Sequence, residues 1–189
     1  MNFADSKKKN VFLAVTVAAI LASLMIAVSF FLPYASANAE YREQLDSVPN
    51  GVTIPGLDMS ADDMKDISLF EFVKIFSSAE ALGQPTDTAT IHIVLDVFLG
   101  IFALGNILFS VLRKPVPLLI FNGLTFGVFS LISWDFKDRG ALPSVTYDIG
   151  IAHYIYYICA AVVLVSAIVM LVLKIQQKKQ LQTAAVPNT

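Results

Sequence analysis

Charged side chains are scarce in this 189-residue sequence: they form 15% of it, where a soluble domain carries roughly 25%, and hydrophobic residues reach 56%. That balance excludes an ordinary water-soluble globule. Cysteine is nearly absent as well. Cys159 stands alone inside an apolar run, so no intramolecular disulfide can staple any part of the chain. The sequence also lacks a glycine-rich phosphate loop, a serine nucleophile elbow, paired cysteines and a basic patch of the kind that tracks a nucleic acid. Neither an internal repeat nor a pair of interrupted half-helices marks it as a large transporter. These absences point away from enzymes, cofactors and nucleic-acid partners.

What remains is hydrocarbon, gathered in four runs: Val11 to Leu32, Ile91 to Leu112, Val116 to Trp134 and Gly150 to Leu173. Each approaches the roughly 20 residues that a helix needs to cross a bilayer core. The expected fold class is therefore an all-α integral membrane protein, a four-transmembrane-helix bundle. Its spans are 11–33, 91–112, 116–134 and 150–173, joined by segments 34–90, 113–115 and 135–149, with tails 1–10 and 174–189. Basic residues fall on one side of this plan: Lys7, Lys8 and Lys9, then Arg113 and Lys114, then Lys174, Lys178 and Lys179. Segment 34–90 holds ten acids against Arg42, Lys65 and Lys74. Basic flanks mark the cytoplasmic side, so both termini are expected inside a plasma membrane, of the bacterial cytoplasmic kind, and the two larger loops outside.

Residues 31–40, Phe-Leu-Pro-Tyr-Ala-Ser-Ala-Asn-Ala-Glu, raise a second possibility. Ala37-Asn38-Ala39 before Glu40 offers a signal peptidase a small-x-small site. The apolar run before it is some 22 residues long, however, and signal-peptide cores run about 7 to 15. Thr16, Ala19, Ser23 and Ala27 also recur at helical spacing, a small-residue stripe suited to close helix contact. A retained first helix is expected, leaving the membrane at Pro33.

The outer segment 34–90 is too small to fold well alone and is expected to rest on the bundle. Ser47 to Gly56 is dense in turn formers and predicts an irregular or short hairpin region. Ser68 and Glu71 match a capping box, and the apolar spacing that follows predicts a short amphipathic helix over 68–82, too short to span. Phe70, Phe72 and Phe76 on it are candidates to face a partner, although packing on the bundle is the plainer use of that face. Asp58, Asp62, Asp63 and Asp66 lack the order of a calcium loop and read as a solvated acidic surface.

Inside the membrane, His92, Asp96, Gly100, Ala103, Asn106 and Ser110 recur every three or four residues, so one face of the second helix is polar or small. Gly123 and Gly127 form a GxxxG match on the third helix, and with Gly100 they are candidate helix-packing positions. Asp96 stands out, because a carboxyl within a span costs on the order of 2.5 to 3.5 kcal/mol on insertion scales. Its expected hydrogen-bond donor is Asn122, Tyr157 or His153. His92, Asp96 and His153 at matched depth are the residues a metal or proton-responsive site would use, but no further ligand spacing completes a metal site. Asn106 and Asn122 are expected to pair across the short turn at residues 113–115.

The expected function is that of a non-enzymatic multi-pass membrane protein, an accessory or partner-binding component acting through its acidic outer unit, with a protein partner or a homo-oligomer besides the lipid bilayer. A small oligomeric transporter or channel using the polar face and Asp96 is the alternative, and a membrane-embedded metal-dependent enzyme the third.

Overall fold

A computed structural model describes residues 3–49, 53, 56–57, 59–83, 86–138 and 145–184. Helices α1 (Phe3–Ser29), α4 (Thr86–Val111), α5 (Pro115–Asp138) and α6 (Ile151–Ala184) make up the bulk of the chain. All four are long and apolar enough to cross a membrane. They alternate in direction around one bundle, with α1 lying chiefly against α6 and α4, and α5 against α4 and α6. Most extend past the apolar runs into polar flanks, because backbone hydrogen bonding continues wherever the next residue tolerates it.

Where a helix stops, the cause is local. Arg113 takes a left-handed backbone (φ 54°), its N–H reaches the Ser110 carbonyl at 3.1 Å and the Lys114 N–H reaches that of Phe109 at 3.0 Å. This is a Schellman closure with arginine in the place glycine usually takes. Pro115 then opens α5, where its missing N–H costs nothing. The ammonium of Lys174 donates to the Arg113 carbonyl at 2.6 Å and ties α6 to this turn.

The opposite end of the bundle carries a structure absent from the sequence reading. β1 (Pro33–Ala37), β2 (Asp66–Ser68) and β3 (Tyr147–Ile149) form an antiparallel sheet in the order β2-β1-β3. The all-helical description thus holds for the bundle and not for the segments that cap it. Ala35 pairs with Ile67 on one side and Ile149 on the other, so the central strand joins the two loops that flank α4 and α5. The Asn38 side chain strengthens the junction: its amide donates to the Val145 carbonyl at 2.6 Å, and its oxygen accepts from the Tyr41 N–H at the start of α2 (Ala39–Asp46). Ala37-Asn38-Ala39 is thereby built into the strand and the cap of the next helix. Cleavage there would take away both α1 and the central strand.

Helix α3 (Leu69–Ser77) follows β2 directly. Ser68 and Glu71 exchange backbone-to-side-chain hydrogen bonds of 2.6 and 3.2 Å. The regular helix stops short of residue 82, where Ser77 turns its hydroxyl back on the Val73 carbonyl and serine competes with the helical pattern. Of the turn-rich stretch 47–56, residues 50–52, 54 and 55 lie outside the described residues, as does Asp58; Thr53 bridges to Ser60.

The remaining acids are locally compensated. Asp66 pairs with Arg42 at 3.0 Å, and Asp62 shares Lys65 with Asp46. Asp63 accepts from the Ser60 N–H and hydroxyl at 2.8 Å each, which holds its carboxyl below the usual carboxylate range.

Candidate functional site

The α1 stripe lies where close packing needs it, with Thr16, Ala19 and Ser23 buried. Its hydroxyls are satisfied within the bundle: Thr16 donates to the Phe12 carbonyl at 2.7 Å, and Ser23 lies 3.1 Å from Ser110 on α4. On α4 the polar face is turned inward, with His92, Asp96, Asn106 and Ser110 all at most 2% exposed. Periodicity alone places them there, since the other faces of α4 are apolar and can meet lipid.

The partners of these residues differ from those the sequence suggests. The Asn106 amide donates to the Thr125 hydroxyl at 2.9 Å, and the Asn122 amide donates to the Ala160 carbonyl at 3.1 Å. The two asparagines do not meet. Thr125 comes three residues after Asn122, about 60° short of a full helical turn, so one faces α4 and the other α6. Thr125 becomes a node instead, its hydroxyl donating to the Phe121 carbonyl and its own carbonyl accepting from Tyr156, both at 2.7 Å.

His92, Asp96 and His153 also fail to converge. His92 Nε2 lies 2.6 Å from Asp135 Oδ2 on α5. Its ring stacks on Phe76 at 4.5 Å and 7° and leans on Phe136 at 5.0 Å. His153 is half-buried on the other side, 5.7 Å from the Tyr34 ring, 5.4 Å from Phe129 and 4.9 Å from Tyr157. Among the described residues no three histidine, cysteine or acidic side chains come together as a metal-holding group.

Tyr34 lies between the two histidines as the hub of an aromatic layer under the sheet. It packs edge-on against Phe72, Phe129 and Phe136 and donates its hydroxyl to Ser133 at 3.0 Å. Burial pushes that hydroxyl up to about 12; the Ser133 bond works against the rise, and Tyr157 and Asp96 add to it.

No known protein family, curated protein or solved structure matches the chain.

Asp96 is 1% exposed, and neither carboxyl oxygen has a hydrogen-bond partner among the described residues. Asn122, Tyr157 and His153, the expected donors, are engaged elsewhere or turned to other rings. The side-chain oxygens of Asn106 and Asn122 are likewise buried without a donor. Among the described residues these three buried side chains thus keep acceptor oxygens with no donor facing them. An unsatisfied buried polar group costs about 1–3 kcal/mol, and an apolar replacement of similar shape avoids that cost. Asp96→Leu is accordingly expected to raise stability by about 1–2 kcal/mol in detergent melting. A fall in melting temperature would show that the carboxyl is satisfied in the membrane.

The glycines exchange roles. Gly100, Gly123 and Gly127 have nothing within 4 Å of a built Cβ, and the last two are exposed, so none is a packing contact within the chain. Gly105 is one, since a Cβ there would stand 2.1 Å from the Phe121 ring. Gly150 is another, against the backbone of Pro33 at 2.2 Å. No spacing motif marks either in the sequence; only the partner strand or ring reveals the close approach.

Of the three candidate partner-facing aromatics, Phe72 is buried on Tyr34 and Phe136, and Phe76 is half-buried and stacks on His92. Residues four apart share a helix face, and here that face meets the bundle. Phe70 is 42% exposed.

Proposed function

We propose that this chain is a non-enzymatic multi-pass membrane protein, an accessory or partner-binding component that acts through its acidic outer unit. Both termini and the Arg113-Lys114 turn lie on the cytoplasmic side of a plasma membrane, and the sheet and α3 lie outside, following the distribution of basic residues. The partner-binding part of this reading rests chiefly on β3, which pairing with β1 joins to the acidic segment. It is an edge strand whose far side meets no other described strand, and it presents Ile149 at 60% exposure with Val145 just before it at 81%. An apolar edge held on a firm support is a template for pairing with another chain. The rest of the outer unit is tied down: Asn38, β1 and the Tyr147 hydroxyl, which donates to the Met64 carbonyl at 2.9 Å, join its two loops.

Native mass spectrometry of protein extracted in mild detergent tests this. A complex with a second protein or a second copy is expected. The double variant Val145→Lys, Ile149→Lys is expected to lose it while keeping the melting temperature, because lysine on an edge blocks strand pairing. A strictly monomeric and partnerless chain would sink the proposal.

The unpartnered carboxyl of Asp96 favours a second reading, an oligomeric transporter with this face of α4 in its path. Ion flux in liposomes that Asp96→Asn leaves unchanged would count against it.

A further inference from the structure

Near the sheet end, α1 and α4 face each other through small side chains, Ala27 on one helix and Gly100 and Ala103 on the other. They leave a gap of about 250 Å³, walled also by Ile26, Leu99 and Leu104, floored by Tyr156 and roofed by Leu69 of α3. The hydroxyls in its wall are turned away. Ser29 donates to the Ile26 carbonyl and Tyr156 to the Thr125 carbonyl, each at 2.7 Å. A water there would lack the two to four polar partners it needs, and apolar cavities of this kind stay dry. Its borders are lipid-facing, with Leu104 64% and Phe31 63% exposed, so the groove opens sideways into the apolar band of the four spans. Hydrocarbon is the medium on that side. Pockets for drug-sized ligands run about 300–1,000 Å³, so this narrower groove takes a stretch of one flexible chain, the remainder of which stays in the bilayer.

The mouth has a distinct chemistry. Phe31, on the rim, packs 5.5 Å from Phe30 and 5.4 Å from Phe70, an aromatic cluster of the kind that settles at headgroup level. Lys74 Nζ stands over the Phe70 ring at 5.4 Å. In the outer unit Arg42 and Lys65 are committed to acids, whereas Lys74 makes no ion pair among the described residues. Asp63 feels its field, but that carboxylate is held by Ser60.

We propose that this groove binds one acyl chain of an anionic phospholipid from the surrounding bilayer, with Lys74 engaging the headgroup. The site is independent of the edge strand β3 and of Asp96.

The probe is a nanodisc of mixed phosphatidylglycerol and phosphatidylcholine, from which the protein is released inside a native mass spectrometer. One phosphatidylglycerol is expected to stay bound at collision energies that strip all others. Gly100→Leu, which has open space at its Cβ, fills the groove and is expected to lower retention at least tenfold with no loss of melting temperature. Ala27→Leu provides the same test from α1 should that variant fold poorly. Lys74→Glu keeps an adduct but abolishes the preference for phosphatidylglycerol. Three results would overturn the assignment: a statistical ladder of adducts, retention untouched by both filling variants in folded protein, or a headgroup preference that survives Lys74→Glu.

Discussion

Replacing Gly150 by alanine is expected to cost about 3 kcal/mol, the upper end of the range for overpacked sites. The added methyl would stand 2.2 Å from the Pro33 carbonyl oxygen, 2.6 Å from its carbon and 2.8 Å from the Tyr34 carbonyl carbon. All three are backbone atoms, so no rotamer change can make room. The only relief is to move β1 away from the start of α6. That movement would break the 2.8 Å hydrogen bond from the Gly150 N–H to the Tyr34 carbonyl and open the pairing of Ala35 with Ile149. It would also lift Tyr34 from the aromatic layer beneath. Gly127→Ala, where the added methyl meets nothing, is the control: an alanine in an open helix interior gains roughly 0.5–1 kcal/mol. Thermal melting with the near-ultraviolet tyrosine signal as readout separates the two. A Gly150→Ala protein that melts with the wild type would mean that the strand is not seated on α6.

The four spans are legible because each is an apolar run of bilayer length, interrupted by an acid only at Asp96, and lipid imposes that pattern without regard to partners. The inward face of α4 was legible for a related reason, since His92, Asp96, Asn106 and Ser110 keep helical phase. The sheet was not. Its central strand reads Pro-Tyr-Ala-Ser-Ala, with little of the β-branched and aromatic content that marks strands, and its neighbours are three residues each. Their identity as strands comes from pairing between loops far apart in sequence.

The same limit applies to the site. Spacing along one helix gives a face but not the rotation of the facing helix, so Asn106 found Thr125 and not Asn122. Depth matched His92 with His153, while the actual neighbour of His92 was Asp135 at the close of α5. Asp135 lies just past the third apolar run, and no spacing along the sequence ties it to His92. The sequence points to Gly123 and Gly127 and not to Gly105 and Gly150, because a GxxxG spacing is visible in a sequence and a facing phenylalanine or carbonyl is not.

His92→Ala is expected to destabilise the protein by about 3 kcal/mol, the upper end of the range for leaving a buried polar partner unsatisfied, because the cavity left by the ring adds to that loss. The Asp135 side chain is 14% exposed against 2% for His92. Two losses combine. Asp135 loses the imidazole nitrogen 2.6 Å away, and Phe76 and Phe136 lose the ring that fills the space between them. His92→Phe restores the ring without the nitrogen, and His92→Gln restores a donor without the ring, so both are expected to fall between alanine and wild type. Pairing His92→Phe with Asp135→Asn in a double-mutant cycle isolates the polar component, expected at about 1–3 kcal/mol for groups in direct contact. Additive effects within about 0.5 kcal/mol would show that the two side chains do not interact. The consequence reaches beyond stability, because Phe76 belongs to α3 and stacks on His92. This residue is therefore one of the points at which α3 is fastened to the spans, beside Phe72 on Phe136. Loosening it in His92→Ala is expected to speed hydrogen exchange in α3 before the bundle itself melts.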